Sequence, residues 1–112
     1  MPMECWIALS EGGYEQVNGK AVPIPEFEEF EFFIHKNLFP IMWIVSEHQT
    51  GGVVGKGRTR KEAIYNASTM LWLEGFTKFE RRINNSIKKH GMTPPYRKEA
   101  TDDRKTVLAI PK

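Results

Sequence analysis

The sequence predicts a single small α+β domain, in which an antiparallel sheet of about four to five strands packs against one long C-terminal helix. Short β-prone runs separated by glycine-containing turns fill the first half of the 112-residue chain, and apolar residues at helical spacing follow. This length is typical of one domain. We therefore expect a domain over residues 1–91 and a tail over 92–112, with a candidate strand at 106–110.

The composition limits the classes of protein to which this chain can belong. Hydrophobic residues make up 40% of the chain and charged residues 27%, which is typical of a folded globular domain. Cys5 is the only cysteine, so an intrachain disulfide is excluded and a reducing, cytoplasmic compartment is expected. The N-terminus lacks a signal-peptide pattern, and the apolar runs are shorter than the roughly 20 residues that span a bilayer. We expect no membrane partner, no cofactor and no metal.

Two hairpins are predicted in the first half of the chain. A first strand over residues 5–10 ends at Gly12-Gly13, and the next two runs, 14–17 and 20–24, flank Asn18-Gly19. Asn-Gly is the preferred dipeptide of a two-residue type I′ turn, which predicts that these runs pair with each other. A later turn at residues 50–52 joins an apolar strand over 41–47 to the run that begins at Val53.

Between these hairpins, residues 27–35 alternate between two faces, which predicts a half-buried strand. One face carries Phe30, Phe32 and Ile34, and the other carries Glu29, Glu31, Phe33 and His35. The carboxylates are expected to face solvent and to protect the strand from unwanted pairing.

The helix has a clear start and a clear end. Thr59 and Glu62 have the spacing of a capping box, and apolar residues recur at helical spacing up to Ile87. Gly75 is a candidate kink or break inside this stretch. Gly91 follows a basic last turn, which is typical of a helix C-terminus.

Charge is divided unequally along the chain. Residues 1–49 hold eight acids and two lysines, a net charge of −6, whereas residues 50–112 hold fourteen Lys or Arg and six acids, a net charge of +8. Such asymmetry indicates an electrostatic partner, or two halves of one fold that neutralise each other.

The turn over residues 55–61 is the strongest candidate site. Its four cations crowd a helix N-terminus, where the macrodipole disfavours positive charge. A bound phosphate would remove that conflict, and the glycines would allow a close backbone approach. The alternative is that the long side chains extend into water. The predicted nucleic-acid contacts are Lys56, Arg58, Arg60 and Lys61, with Arg81 and Arg82 as extensions.

Residues 43–75 resemble the C-terminal β-β-α half of double-stranded-RNA-binding domains, through the stretch from Gly55 to Ile64. This resemblance implies phosphate contacts from Lys56, Arg60 and Lys61. The same span is similar to HicB-type antitoxins, whose helix entry has the pattern Gly-x-Thr-x-Glu-Glu-Ala. That second resemblance implies a small regulator of the kind that phages and other mobile elements carry.

No residue pattern predicts catalysis. Scattered histidines and Cys5 lack the local setting of a nucleophile and base, so we expect a binding module rather than an enzyme. The leading hypothesis is contact with a nucleic-acid phosphate backbone. The alternative is a regulator, an antitoxin or inhibitor, that binds a basic protein through Glu28, Glu29, Glu31 and His35. An exposed edge strand or the long helix would also suit a homodimer.

Overall fold

The computed structural model describes residues 4–38 and 40–96, which form a mixed α+β fold. The elements follow in the order β1 (Cys5–Ala8), β2 (Tyr14–Val17), β3 (Lys20–Ala21), β4 (Phe32–Leu38), β5 (Ile41–Glu47), β6 (Val53–Gly57), α1 (Arg60–Glu74) and α2 (Phe76–His90). Strands β3-β4-β5-β6 form one antiparallel sheet, and β1 pairs with β2 in a separate antiparallel ribbon. The predicted α+β class is confirmed, with the strands in two sheets.

The hairpin predicted at Asn18-Gly19 is wrong. β2 pairs with β1 and β3 pairs with β4, so this dipeptide carries the chain from one sheet to the other. A type I′ turn requires positive φ at both central residues, and neither Asn18 nor Gly19 has one. Gly19 is needed for another reason, because a Cβ there would lie 2.8 Å from Sγ of Cys5 and 2.8 Å from Cδ2 of Phe33.

The strand predicted over residues 27–35 begins later and is buried on both faces. Residues 25–30 form turns, and β4 starts at Phe32. Phe32 and Ile34 belong to the core beneath the helices. Phe33 and His35, on the opposite face, are also buried. The β1–β2 ribbon and the crossing segment, Asn18-Gly19, cover that face. The prediction of a half-buried strand was therefore wrong, because a second layer of structure covers the face of β4 that was expected to meet solvent.

The hairpin predicted between β5 and β6 and the helix start predicted at Thr59 are both confirmed. The N–H of Glu62 donates to Oγ1 of Thr59 at 3.1 Å, and Oε1 of Glu62 accepts from the N–H of Arg58 at 2.8 Å. One long helix with a candidate kink or break at Gly75 was expected, and the chain forms two 15-residue helices separated by Gly75, whose φ of 88° favours glycine. Gly91 ends α2 as predicted.

α1 packs directly on β6 through small residues. The missing Cβ atoms of Gly55 and Gly57 point at the helix, and a Cβ at either position would lie 2.5 Å from the backbone N of Ala67 or Ala63, respectively. Both alanines are fully buried. The Gly-x-Gly pattern at the end of β6 therefore allows the helix backbone to approach the strand backbone.

α2 is anchored by an aromatic cluster. The fully buried ring of Phe79 lies 5.8 Å from Phe27, 4.8 Å from Phe30 and 6.0 Å from Phe32, measured between ring centroids. These rings connect α2 to β4 and to the turns that precede it. This packing holds α2 against the core after the break at Gly75.

The first residues after α2 also pack against the sheet. The N–H of Thr93 donates to the carbonyl of Gln49 at 2.7 Å, and its Oγ1 donates to the carbonyl of His48 at 2.9 Å. Thr93 is buried. The domain boundary at residue 91 stays a prediction, and the candidate strand at 106–110 lies outside the described residues.

Substituting the packing glycines should destabilise the fold strongly. In Gly55→Ala and Gly57→Ala the added methyl meets helix backbone, which cannot rotate away, so we expect each to lower the free energy of unfolding by about 3 kcal/mol. Urea denaturation measures this loss. Gly52→Ala is the control, because its methyl meets only the Thr50 hydroxyl at 3.3 Å. Equal losses in all three variants would contradict the close-packing explanation.

Candidate nucleic-acid interface

The four cations of the basic turn are exposed, but they do not form one cluster. Gly55 and Gly57 face α1, so strand alternation directs the side chain of Lys56, between them, to the opposite face of the sheet. Arg58 follows the end of β6, and Arg60 and Lys61 lie in the first turn of α1. Lys56 is therefore separated from the cations that follow it.

An aromatic residue joins Arg60 to a cation that was not predicted. The strand register places Lys36 of β4 opposite Trp43 of β5, and Trp43 opposite Gly57 at the end of β6. Nζ of Lys36 lies 5.7 Å from the centroid of the Trp43 ring, and Cζ of Arg60 lies 5.5 Å from it. We call Lys36, Trp43 and Arg60 the cationic–aromatic row. It crosses the sheet beside the start of α1.

Lys36 and Trp43 are not among the site residues predicted from the sequence. The signal that could have found them is the short connection between β4 and β5, since antiparallel strands joined this tightly place residues equally distant from the turn opposite each other. Trp43 is half-buried, with its ring packed against the core. A cation on such a ring gains about 0.5–1 kcal/mol at an exposed site, so the row is held together in the free protein.

The backbone near the helix entry is largely occupied by the fold itself. The helix fills the space beside Gly55 and Gly57, so these glycines do not leave room for a phosphate as the sequence suggested. The amides of Arg58 and Glu62 already donate to Glu62 and Thr59. Contact with an anion at this end of α1 therefore depends chiefly on the side chains of Arg58, Arg60 and Lys61.

Of the two predicted extensions on α2, one is paired within the chain. Nε and Nη2 of Arg82 donate to the two carboxylate oxygens of Glu74, each at 2.9 Å, and the guanidinium also lies 5.1 Å from the Phe79 ring. The hydrogen bond from Arg82 lowers the pKa of Glu74 and raises the pKa of Arg82. Arg82 thus links the two helices across Gly75 and is not a free cation. Arg81 is exposed.

The residues of the alternative protein-binding surface are also divided by the structure. Glu28 and Glu29 are exposed, and the side chain of Glu31 is 64% exposed while accepting from the Tyr96 hydroxyl at 3.0 Å. His35, in contrast, is only 4% exposed. The prediction that His35 contacts a protein target is therefore wrong for this fold, because the β1–β2 ribbon and the crossing segment cover its side of the sheet.

His35 is a buried base without a hydrogen bond at one nitrogen. Its Nε2 has no partner among the described residues. Burial lowers the pKa of His35, and the negative charge of Glu15 opposes that effect. We interpret the side chain as neutral core packing beside the Phe33 ring, 5.9 Å away.

Most of the other buried polar groups stabilise the turn between β5 and β6, whereas the buried Oγ of Ser46 has no partner among the described residues. The carboxylate of Glu47 accepts from the amides of Gln49 and Thr50 and from the Thr50 hydroxyl, at 2.7–2.8 Å. Burial nevertheless raises the pKa of Glu47. His48 lies 2.8 Å from the Glu4 carbonyl and 2.7 Å from the Tyr96 hydroxyl. These bonds give Glu47, His48 and Thr50 a structural role in the turn.

Comparisons with family models, with curated proteins and with solved structures return no match. Within residues 4–38 and 40–96, no group of three or more His, Cys, Asp or Glu could hold a metal ion. The helices of the same segments are too short or too polar to cross a membrane.

Replacing the buried histidine should reduce the sensitivity of the fold to acid. Because the folded-state pKa of His35 is lowered, its neutral form stabilises the fold above the unfolded-state value of about 6.5. This stability is lost as the pH falls through the folded-state pKa. His35→Phe removes both the titration and the unpartnered nitrogen, so we expect a gain of about 1 kcal/mol at neutral pH and a smaller loss on acidification.

Urea denaturation at about pH 8 and about pH 5 measures both effects, as the difference between variant and wild type. His90→Gln is the matched control, since His90 is exposed on the last turn of α2. Equal acid sensitivity of His35→Phe and the wild type would show that His35 does not cause the loss.

Proposed function

We propose that this chain is a non-catalytic intracellular module that binds the phosphate backbone of a nucleic acid through the entry of α1. The observation that carries the proposal is the cationic–aromatic row beside that entry. Arg60 stands on the Trp43 ring with Lys36 on the same ring, and the exposed Arg58 and Lys61 flank Arg60 in sequence. Two strands and a helix thus supply two cations to one aromatic side chain, with two more exposed cations close by in sequence.

This arrangement suits a polyanion that also offers flat rings. Lys and Arg contacts to phosphates supply affinity that is independent of sequence and falls with salt. The Trp43 ring provides a stacking partner for an unpaired base when Lys36 or Arg60 leaves the ring for a phosphate. Trp43 therefore favours single strands, loops or ends over a regular duplex. The helix dipole adds to phosphate attraction at the same place.

The family resemblances support some of the proposed contacts and not others. Phosphate contact from the start of a helix that follows a β-hairpin is the feature shared with double-stranded-RNA-binding domains, and it supports Arg60 and Lys61. Lys56, which that resemblance also implies, lies on the other face of the sheet. We therefore assign the contact to Arg58, Arg60 and Lys61. The likeness to HicB-type antitoxins, and with it a regulatory role, stays a prediction.

Reversing the charges at the helix entry should abolish binding without harming the fold. Arg60→Glu with Lys61→Glu replaces two cations by two acids at a helix N-terminus, where acids are favoured by typically 0.3–1 kcal/mol each. We expect the variant to be at least as stable as the wild type in urea. Its affinity for labelled single-stranded RNA and DNA, measured by fluorescence anisotropy at low salt, should fall by roughly 100-fold or more.

Lys20→Glu with Lys78→Glu is the control with the same change in net charge. Both residues are exposed and lie outside the cationic–aromatic row, on β3 and α2. This control should weaken binding by no more than about threefold. Trp43→Leu should weaken binding to single strands more than binding to duplexes. Failure of the wild type to bind any single strand or duplex at low salt would contradict the proposal.

A further inference from the structure

A second surface, an open groove, lies along the flank of α1. One wall consists of Tyr65, Ser68, Thr69 and Trp72, and the other consists of residues 24–27 in the turns before β4. The groove has a volume of about 480 Å³. It is separate from the cationic–aromatic row, and none of its lining residues is Lys or Arg.

Of its three aromatic residues, Phe27 is buried, and within residues 4–38 and 40–96 nothing covers the other two. Tyr65 is 68% exposed and Trp72 is 69% exposed. The buried side of α1 is formed by Ala63, Ala67 and Leu71, so both aromatic side chains lie on the outer side of the helix. A surface helix normally presents polar residues there. Trp and Tyr are also the residues that most often dominate binding energy at interfaces.

The spacing of the two rings matches one class of ligand. Tyr65 and Trp72 are separated by seven positions, which corresponds to about 10 Å along a helix axis. A polyproline II segment repeats every three residues, or about 9 Å. Such a segment in the groove would place successive repeats on the two rings. The hydroxyls of Ser68 and Thr69, between the rings, suit its carbonyls, which have no internal hydrogen bonds.

The charge of the groove indicates what the ligand carries. Glu26 is the one charged side chain in the lining, and the exposed Glu28 and Glu29 follow it. Glu26 has a φ of 73°, a conformation that non-glycine residues seldom adopt. The amide of Phe27 donates to the carbonyl of Ile24 at 3.0 Å and closes the turn that holds Glu26. A carboxylate beside aromatic rings attracts a cation and repels phosphate.

We infer that this groove binds an extended, proline-containing segment of another protein that carries a Lys or Arg next to its prolines. The prolines pack on Tyr65 and Trp72, as in other aromatic grooves that recognise polyproline II peptides. The cationic side chain pairs with Glu26. Binding is independent of the cationic–aromatic row, so the module can contact a nucleic acid and a protein segment through different parts of α1.

Three short synthetic peptides test the inference with the full chain. The first has prolines at three-residue spacing and a terminal Arg, the second has Glu in place of that Arg, and the third has Gly in place of the prolines. Titration is followed by ¹H–¹⁵N NMR at the Trp72 indole and at the amides of residues 24–27. We expect a Kd of about 100 μM for the first peptide and at least about tenfold weaker binding for the other two.

Variants on the two sides of α1 separate recognition from folding. Trp72→Ala should weaken binding of the first peptide about 30-fold. Leu73→Ala is the matched control, because Leu73 is 73% exposed on the same helix but does not line the groove. Glu26→Asn keeps a residue that tolerates positive φ and removes the charge. It should abolish discrimination between the Arg and Glu peptides.

Several outcomes would overturn the inference. These are the absence of saturable shifts with any peptide, binding that survives Trp72→Ala, or equal affinity for the Arg and Glu peptides. Shifts at Trp72 that depend only on the concentration of the protein would assign the groove to a second copy of this chain instead. Arg60→Glu with Lys61→Glu should leave peptide binding unchanged, so failure of the nucleic-acid proposal and failure of this one are distinguishable.

Discussion

The close contact between α1 and β6 fixes the position of the helix that carries both the helix-entry cations and one wall of the groove. Gly55 and Gly57 let the strand backbone approach Ala67 and Ala63 within the distance that a single Cβ would fill. Such packing leaves little freedom in the position of the helix, since interiors are as dense as organic crystals. The first turn of α1 therefore stands beside the end of β5, and Arg60 reaches the ring of Trp43.

The same contact explains why apolar side chains remain exposed on α1. A helix that packs through alanines buries little of its own surface, and its larger side chains project to the flanks. Beside the two alanines, Leu71 is buried and Ile64 packs against the core. Tyr65, Met70, Trp72 and Leu73 are left in solvent. Close backbone packing and aromatic exposure are thus two consequences of one small-residue interface.

The features that could be predicted from the sequence are those that a few neighbouring residues decide. The cap at Thr59 depends on Glu62 three residues later, and the break at Gly75 depends on one backbone conformation. Pairing of strands is different, because it is a competition among partners distant in sequence. Asn18-Gly19 favours a local hairpin, but β2 pairs instead with β1 over four residues, and β3 pairs with β4 over two.

The roles of several side chains could not be predicted for the same reason, because they depend on partners distant in sequence. The alternation of side chains along residues 27–35 carries no information about a ribbon elsewhere in the chain. A histidine that this ribbon buries was therefore predicted to be a surface contact. Arg82 looked like a free cation because its partner Glu74 lies in the preceding helix, beyond the break at Gly75. The two residues meet because Phe79 packs on Phe27 and Phe30 and so positions α2. Lys36 and Trp43 meet only through the register of β4 and β5.

The placement of charge around α1 is consistent with the two proposed partners of opposite sign. Cations lie at its N-terminal end, where they oppose the dipole by typically 0.3–1 kcal/mol each unless an anion is bound. The groove on its flank has a carboxylate and no cation among its lining residues. Glu26 lies across the groove from α1, so a single polyanion that covered both the helix entry and the groove would meet charges of opposite sign. They are compatible when each ligand takes its own part of the surface, since at physiological salt charges more than about 8 Å apart are largely screened from each other.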